Sequence, residues 1–269
     1  MHPVLFHLGT FSLPTYGFLI ACGYLAAITY ILRRAPRAGF NKEDVSNLIF
    51  YAALGGMAGA KLFYVFTYWA AFGAGFAERL VYALRTFQYG FVFYGGLLCG
   101  AAVFFIYARG KKLAALRAAD LFAPALALGH AFGRIGCFSA GCCYGSPSPL
   151  SWPGVVFTDP ASEVNPAYLG LHLHPTQLYE AAGNFLIFLA LNLALSRSLK
   201  KGLPAGGVMA LYAALYSLER FLIEFLRGDD RGNMHLGLSP AQLISAAVFA
   251  AAVVILLRIR KPKPGQNSF

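Results

Sequence analysis

The stretch that decides how this chain is organised is Gly133-Arg134-Ile135-Gly136-Cys137-Phe138-Ser139-Ala140-Gly141-Cys142-Cys143-Tyr144-Gly145. It follows an apolar run, residues 121–132, that is typical of a membrane helix. An arginine at the end of such a run is costly unless it faces a cavity or a partner, so Arg134 indicates a functional site. Closely spaced glycines suit a backbone that bends sharply or approaches a ligand. A helix C-terminal cap with a snorkelling arginine is the simpler interpretation.

The composition is that of a membrane protein. The chain has 269 residues, of which 58% are hydrophobic and only 12% charged, and these values exclude an ordinary soluble domain. The formal net charge is +11, but the basic residues form short clusters between apolar runs. This distribution indicates membrane topology and anionic headgroups, so we expect no nucleic-acid partner.

Seven segments are long and apolar enough to span a bilayer, which takes about 20 residues at helical rise. They cover residues 16–32, 46–69, 90–108, 119–138, 176–195, 207–226 and 238–257. We therefore predict an all-α integral membrane protein in which residues 1–269 form a single domain, a bundle of seven transmembrane helices.

The distribution of Lys and Arg predicts the orientation of this bundle. Most basic residues lie in the first, third and fifth connections and in the tail, whereas the opposite connections contain only Arg79, Arg85, Arg227 and Arg231. The positive-inside rule then places the N-terminus outside and the C-terminus in the cytoplasm. The longest connection, residues 139–175, is rich in proline and lacks Lys and Arg, so we expect a small irregular outer cap. The N-terminus has no basic region and no small-residue cleavage site, so we expect no removable signal peptide.

Several ionisable residues lie within or at the edges of the apolar segments. They are Lys61, Arg134, Glu180, Glu219, Arg220 and Glu224, with Arg227 one turn further on. Two arginines at headgroup level, Arg134 and Arg227, suggest bidentate capture of a phosphate group. Arg227 alone also fits an interfacial anchor, and the spacing of Arg220 and Glu224 fits a purely structural pair.

Three further motifs carry polar or aromatic groups. His174-Pro175-Thr176-Gln177-Leu178-Tyr179-Glu180 opens the fifth segment, where Gln177 and Glu180 share a helical face and could enter one cavity; an N-terminal cap is the alternative. Tyr94-Gly95-Gly96 predicts a close helix contact or a break in the helix. Tyr16 supplies a phenol at headgroup depth or belongs to an aromatic belt.

Cys137, Cys142 and Cys143 form a thiol cluster for which four interpretations stay open. They are a disulfide, a free reactive thiol activated by Arg134, inert packing, and a metal site shared with a nearby histidine. The spacing Cys-x4-Cys-Cys is uncommon among structural zinc sites, so we expect no metal and no cofactor.

Four elements in this order resemble the prolipoprotein diacylglyceryl transferase family of the bacterial cytoplasmic membrane. They are the Gly-Gly of the third segment, Gly-Arg-x-Gly-x-Phe at residues 133–138 with Gly141 and Gly145 in register, the motif at residues 174–180, and Glu-Phe-Leu-Arg at residues 224–227. The resemblance covers nearly the whole chain.

Members of that family transfer the diacylglyceryl group of phosphatidylglycerol to the lipobox cysteine of a prolipoprotein and release glycerol phosphate. The resemblance implies that Arg134 and Arg227 handle the phosphate, since preorganised cations stabilise charge that develops in the transition state. Tyr94, His174 or Glu180 would accept the thiol proton. The substrate-binding residues would be Tyr16, Lys61, Gly95, Gly96, Gly133, Gly136, Gly141, Gly145, Gln177 and Glu224. The resemblance also implies that the protein lies in the inner membrane, in contact with membrane lipids, and that its active site faces the outer side.

The chain departs from the family pattern at several positions. Cys137 and Ala140 stand where asparagine is usual, Cys142 replaces a glutamate, Tyr94 replaces a histidine, and Lys61 replaces what is more often arginine. These changes leave two interpretations, an authentic transferase and a paralogue on the same fold that binds phospholipid and uses its thiols on another substrate. Serine at the three clustered positions would spare the first activity and abolish the second.

Overall fold

A computed structural model describes residues 3–9, 11–86, 89–149, 154–202, 204–230, 232, 234 and 237–259. The chain divides into two compact units, one made of Met1–Arg34 and Ala119–Phe269 and the other of Ala35–Ala118. Arg231 and the basic residues of the tail from Arg260 onward, which the orientation argument used, lie outside the described residues.

Eight α-helices dominate the described chain. They are α1 (Thr15–Arg34), α2 (Lys42–Tyr68), α3 (Phe76–Arg85), α4 (Phe93–Gly110), α5 (Ala115–Ala140), α6 (Thr176–Lys201), α7 (Gly207–Ile223) and α8 (Pro240–Arg258). Short 3-10 helices cover Pro36–Ala38, Trp69–Phe72, Pro166–Tyr168 and Glu224–Leu226. Two antiparallel two-stranded sheets complete the structure, β1 (Val4–Leu8) with β2 (Phe11–Pro14) and β3 (Val155–Val156) with β4 (His172–Leu173).

The described residues contain six helices that are long and apolar enough to cross a membrane, all except α3 and α7. They confirm an integral membrane protein of helical class. The predicted segment 207–226 is a helix only as far as Ile223, because the chain then tightens into the 3-10 turn Glu224–Leu226. The count of seven spans and the orientation therefore stay predictions.

Helix α3 and the hairpin of β1 and β2 were not predicted from the sequence. The amphipathic helix α3 has only 10 residues, too few for a membrane span, and its charged residues hide it from a search for apolar runs. The hairpin of β1 and β2 precedes the first helix, and it is joined to that helix where the Thr15 amide donates to the Pro3 carbonyl at 2.9 Å.

Glycines allow α2 and α4 of the second unit to pack closely. A Cβ on Gly95 would lie 2.7 Å from the Gly59 carbonyl oxygen, and a Cβ on Gly96 would lie 3.2 Å from that of Gly56. Small residues let helix backbones approach to such distances in membranes. Helix α4 is continuous through this point, so the Tyr94-Gly95-Gly96 element is a close helix contact and not a break.

A buried carboxylate of the first unit fixes the start of α7. Asp120 is only 3% exposed and accepts hydrogen bonds from the amides of Gly206 (2.7 Å) and Met209 (2.8 Å). The first amides of a helix have no intrahelical partner, and a negative charge there also complements the helix dipole. Asp120 of α5 thus supplies the cap that α7 lacks in its own sequence.

The segment between α5 and α6 has its own small core. Phe157 and Leu173 are fully buried and pack with Tyr144 and Val164. The irregular chain predicted for residues 139–175 is therefore compact where it is described, and the β3–β4 pairing organises it.

Replacing Asp120 by alanine should weaken the attachment of α7. Loss of a capping side chain costs about 1–2 kcal/mol, so we expect a lower thermal unfolding temperature in detergent micelles. The matched control is Glu43→Ala, which removes an exposed acid from the first turn of α2. Equal unfolding temperatures for the two variants would contradict this role of Asp120.

Candidate functional site

A chain of buried ion pairs connects α5, α6 and α7. The Nε atom of Arg134 lies 2.7 Å from Oε2 of Glu180, whose other oxygen contacts Nη1 of Arg220 at 3.1 Å. Arg220 then reaches Glu224 at 2.7 Å through Nη2. The Glu180 side chain is 2% exposed, so burial of this charge requires both arginines.

The far end of this network is anchored by α8. The Ser239 hydroxyl donates a 2.8 Å hydrogen bond to Oε1 of Glu224, and both residues are buried. Beside Glu180, the amide group of Asn184 donates to the Glu180 carbonyl at 2.9 Å and to the Glu219 carboxylate at 3.1 Å. Polar groups of α6 and α7, together with the N-cap residue of α8, therefore hold Glu180 and with it Arg134.

Arg134 keeps part of its guanidinium uncommitted. Within the described residues, its one contact with an acidic group is made by Nε. Its side chain is 13% exposed. Among the described residues no carboxylate contacts the Nη atoms of Arg134, so these donors are not committed to an acid.

Three loop segments of the first unit meet through backbone hydrogen bonds. The Gly145 amide donates to the His174 carbonyl (3.0 Å), the Ser146 amide to the Leu226 carbonyl (2.8 Å), and the Gly228 amide to the Tyr144 carbonyl (3.0 Å). A Cβ on Gly145 would overlap the His174 carbonyl, so only glycine permits this approach. We call residues 144–146, 174 and 226–228 the loop junction.

Arg227 lies in this loop junction, bridged to Gly145 by backbone pairing. Its guanidinium makes a bidentate contact with the Asp229 carboxylate, with Nε at 2.8 Å from Oδ1 and Nη2 on Oδ2. Arg227 is 9% exposed. Both predicted phosphate arginines therefore belong to one unit, and each is held by a carboxylate.

The three clustered thiols come together beside these arginines. Their sulfur atoms all lie within 4.8 Å of one another, and all three thiols are free. Cys137 is in the last turn of α5, which ends where the Gly141 amide donates to the Cys137 carbonyl at 2.9 Å. Gly141 has φ +84°, a left-handed conformation that favours glycine at a helix end.

The motif at the start of α6 holds the backbone of the thiol cluster. The Thr176 hydroxyl donates to the Cys143 carbonyl at 2.9 Å, and the Gln177 amide nitrogen donates to the Cys142 carbonyl at 2.8 Å. Both donors are fully buried. Gln177 shares a buried face with Glu180, as its spacing predicted, but the Gln177 amide nitrogen is engaged by the thiol segment.

The electrostatics of the cluster favour a single thiolate on Cys143. Hydrogen bonding by the Cys137 and Cys142 thiols and the positive charges of Arg227 and Arg134 hold the pKa of Cys143 well below the usual thiol range. Hydrogen bonding with Cys137 and Cys143, together with burial, raises the pKa of Cys142. Both arginines thus act on the same sulfur atom.

Other predicted residues of this unit line its helix contacts. A Cβ on Gly136 would lie 3.0 Å from Cδ2 of Tyr16, and one on Gly133 would lie 3.4 Å from Ile20. Tyr16 therefore packs over the Gly136 end of α5 and stays 43% exposed. Nδ1 of His174 is buried and has no hydrogen-bond partner within the described residues.

The remaining predicted residues lie in the second unit. The Lys61 ammonium donates to the carbonyls of Thr86 (2.5 Å) and Tyr89 (2.9 Å) and sits over the Tyr64 ring. Tyr94 is half exposed at the start of α4, next to the closely packed Gly95 and Gly96. In this unit Lys61 binds backbone and fixes a loop.

Several contributors to the site are not predicted by the sequence. The spacing of Arg220 and Glu224 predicts a structural pair, but Arg220 also binds Glu180. Asn184, Ser239 and Asp229 were not singled out. The sequence does contain one indication of the wider role of Arg220: Glu180, Glu224 and Arg134 all lie at a similar depth in the apolar segments.

These observations define a polytopic membrane protein with two preorganised arginines beside a constrained loop junction. Residues 3–258 match the family model of prolipoprotein diacylglyceryl transferase. A relative from Clostridium tetani, named phosphatidylglycerol–prolipoprotein diacylglyceryl transferase, is 38% identical over 248 residues, which are 91% of this chain and 92% of the relative. A relative from Clostridium perfringens, named phosphatidylglycerol–prolipoprotein diacylglyceryl transferase 2, is 36% identical over 93% of this chain and 91% of the relative. A relative of the same enzyme name from Thermotoga maritima is 34% identical over 98% of this chain and 87% of the relative.

The chain therefore belongs to the prolipoprotein diacylglyceryl transferase family, and it is an enzyme of the transferase class. The family resemblance drawn from the four sequence elements is confirmed.

Replacing Gly145 by alanine should disturb the loop junction. The added methyl group has no space between the His174 and Leu226 carbonyls, and overpacking of this kind costs about 1–3 kcal/mol. We expect a lower thermal unfolding temperature. Gly110→Ala is the control, because a Cβ there meets no atom within 4 Å. A Gly145→Ala protein as stable as this control would show that the junction tolerates a side chain.

Proposed function

We propose that this enzyme transfers the diacylglyceryl group of phosphatidylglycerol to the lipobox cysteine thiol of a prolipoprotein. In this reaction the thiol sulfur forms a bond to the glyceryl carbon while the bond from that carbon to the phosphate oxygen breaks. The thiol proton passes to a base, and glycerol phosphate leaves. Family membership and the names of the relatives support the proposal.

The observation that carries the proposal is the arrangement of Arg134 and Arg227. Each guanidinium is mostly buried and already oriented by a carboxylate, and both act electrostatically on the Cys143 sulfur. Groups fixed in this way need no reorganisation when the phosphate gains negative charge as it leaves. The two arginines would bind the phosphate of the lipid and stabilise the departing glycerol phosphate.

The remaining polar groups divide between positioning and proton transfer. Both oxygens of Glu180 contact an arginine, so Glu180 acts as a positioning residue for Arg134. His174 is the better base among the described residues of the first unit, because its buried Nδ1 has no hydrogen-bond partner there.

We further propose that the enzyme lies in the inner membrane with this site toward the outer side. The asymmetric distribution of basic residues supports this orientation. Phosphatidylglycerol would enter from the surrounding lipids between helices, and the lipobox segment would approach from the same side. The compact cap between α5 and α6 would then cover the reacting groups.

Removing either phosphate arginine should abolish transfer. We would mix the purified enzyme with phosphatidylglycerol and a lipobox peptide and detect the diacylglyceryl adduct on the peptide by mass spectrometry. Loss of one preorganised cation typically costs a factor of about 10² to 10³ in rate, so Arg134→Ala and Arg227→Ala should show almost no adduct. Arg33→Ala, an exposed arginine at the end of α1, is the control and should retain the activity.

A folded wild-type protein that forms no adduct would contradict the proposed reaction. If Arg134→Ala formed the adduct as well as the wild type does, the proposed reaction would stand, but the role of Arg134 in it would be contradicted.

The ion-pair chain predicts strong coupling between Glu180 and Arg220. Glu180→Gln and Arg220→Gln should each lower kcat more than they change KM, because each loosens the support of Arg134. The double variant should lose less than the sum of the two, with a coupling of about 0.5–3 kcal/mol. Kinetics and thermal unfolding of all four proteins measure this coupling. As a control, Arg220→Gln is combined with Glu163→Gln, which changes an exposed acid in the cap, and the two effects should add. If the effects of Glu180→Gln and Arg220→Gln also added, the proposed ion-pair network would be contradicted.

A further inference from the structure

The transferase reaction leaves the three clustered thiols without a role. The sulfur atoms of Cys137, Cys142 and Cys143 lie within 4.8 Å of one another. Two sulfurs bound to one metal ion at about 2.3 Å are about 4 Å apart, so small rotations bring all three onto a common centre. The cluster therefore has the dimensions of a three-coordinate metal site.

The chain holds these thiols in place by contacts outside the cluster. Cys137 is fixed by α5, and Cys143 adopts the left-handed φ of 59°, which is uncommon for a residue other than glycine. The buried side chains of Thr176 and Gln177 bind the carbonyls of Cys143 and Cys142. Preorganisation of this kind lowers the cost of bringing three like charges together around an ion.

The donor set and the surrounding charge select the ion. Three thiolates are soft ligands, which favour ions such as Cu(I) and Zn(II) over hard cations. Arg134 lies about one helical turn before Cys137 on α5, and Arg227 pairs with Gly145, two residues after Cys143. The positive charges of these arginines oppose a dication more strongly than a monocation. Three thiolates with one monovalent ion carry a charge of −2, which nearby guanidinium groups stabilise more strongly than the −1 of the corresponding complex with a divalent ion.

We propose that Cys137, Cys142 and Cys143 form a three-thiolate site for a soft monovalent metal ion of the Cu(I) class. The site lies at the C-terminal end of α5, beside the arginines of the proposed reaction, and binding releases the thiol protons to solvent. This inference does not depend on the transferase activity, because it uses only the geometry and charge of the cluster.

The test is a competition experiment on the full-length protein in detergent. Under anaerobic conditions, with the thiols reduced and the reductant removed, Cu(I) is titrated against the coloured Cu(I) chelator bicinchoninate. We expect one Cu(I) per chain, bound at least 100-fold more tightly than by the variant with serine at all three positions. The control Cys22→Ser/Cys99→Ser replaces the two distant thiols and should bind as the wild type does.

X-ray absorption at the copper edge supplies the second readout. The wild type should show three sulfur neighbours, and Cys143→Ser alone should show two, which keeps the test decisive if the triple variant does not fold. Equal competition by wild type and the triple variant would overturn the proposal, as would a loss of binding in the Cys22→Ser/Cys99→Ser control. Displacement of Cu(I) by a tenfold excess of Zn(II) would overturn the assignment to a monovalent ion.

Discussion

The Glu180 carboxylate, shared between Arg134 and Arg220, is the interaction on which the site depends. A buried charge of this kind is destabilising unless every partner is present, and removing one partner of such a pair costs about 3–5 kcal/mol. Because the three residues belong to α5, α6 and α7, the ion pairs also fix how these helices meet. The same contacts that satisfy the buried charges therefore aim Arg134.

The loop junction applies a second constraint at the same end of the unit. Gly145, His174 and Leu226 come from segments far apart in the chain, yet their backbones approach too closely for any side chain at Gly145. Arg227 directly follows this contact, so its position is set by backbone geometry and by Asp229. An arginine held in this way loses little conformational entropy when it binds a phosphate.

Local signals in the sequence were sufficient for the six long apolar helices but not for α3, and they drew attention to Arg134 and Arg227. Apolar runs predict helices because hydropathy is a property of neighbouring residues, and Arg134 and Arg227 stand out by their depth. Contacts between distant residues carry no such signal. The sequence predicts a pair between Arg220 and Glu224, because they are four residues apart. It does not predict the contact of Arg220 with Glu180, which lies 40 residues away in the chain. Gln177 was placed on the correct face, but its bond to the Cys142 carbonyl depends on the tertiary fold.

The charges of the thiol cluster and of the two arginines, Arg134 and Arg227, affect each other at the end of α5. Two guanidinium groups with little exposure repel each other, and a neighbouring anion reduces this repulsion. Cys143 provides one: when its thiol ionises, the negative charge lies where both arginines act on it. In the proposed reaction, a lipid phosphate would bring its own negative charge and compete with that thiolate for the same cations. The charge of the cluster would therefore be coupled to phosphate binding by electrostatics alone, and a proton that neutralises Cys143 would make the arginines more available to the lipid.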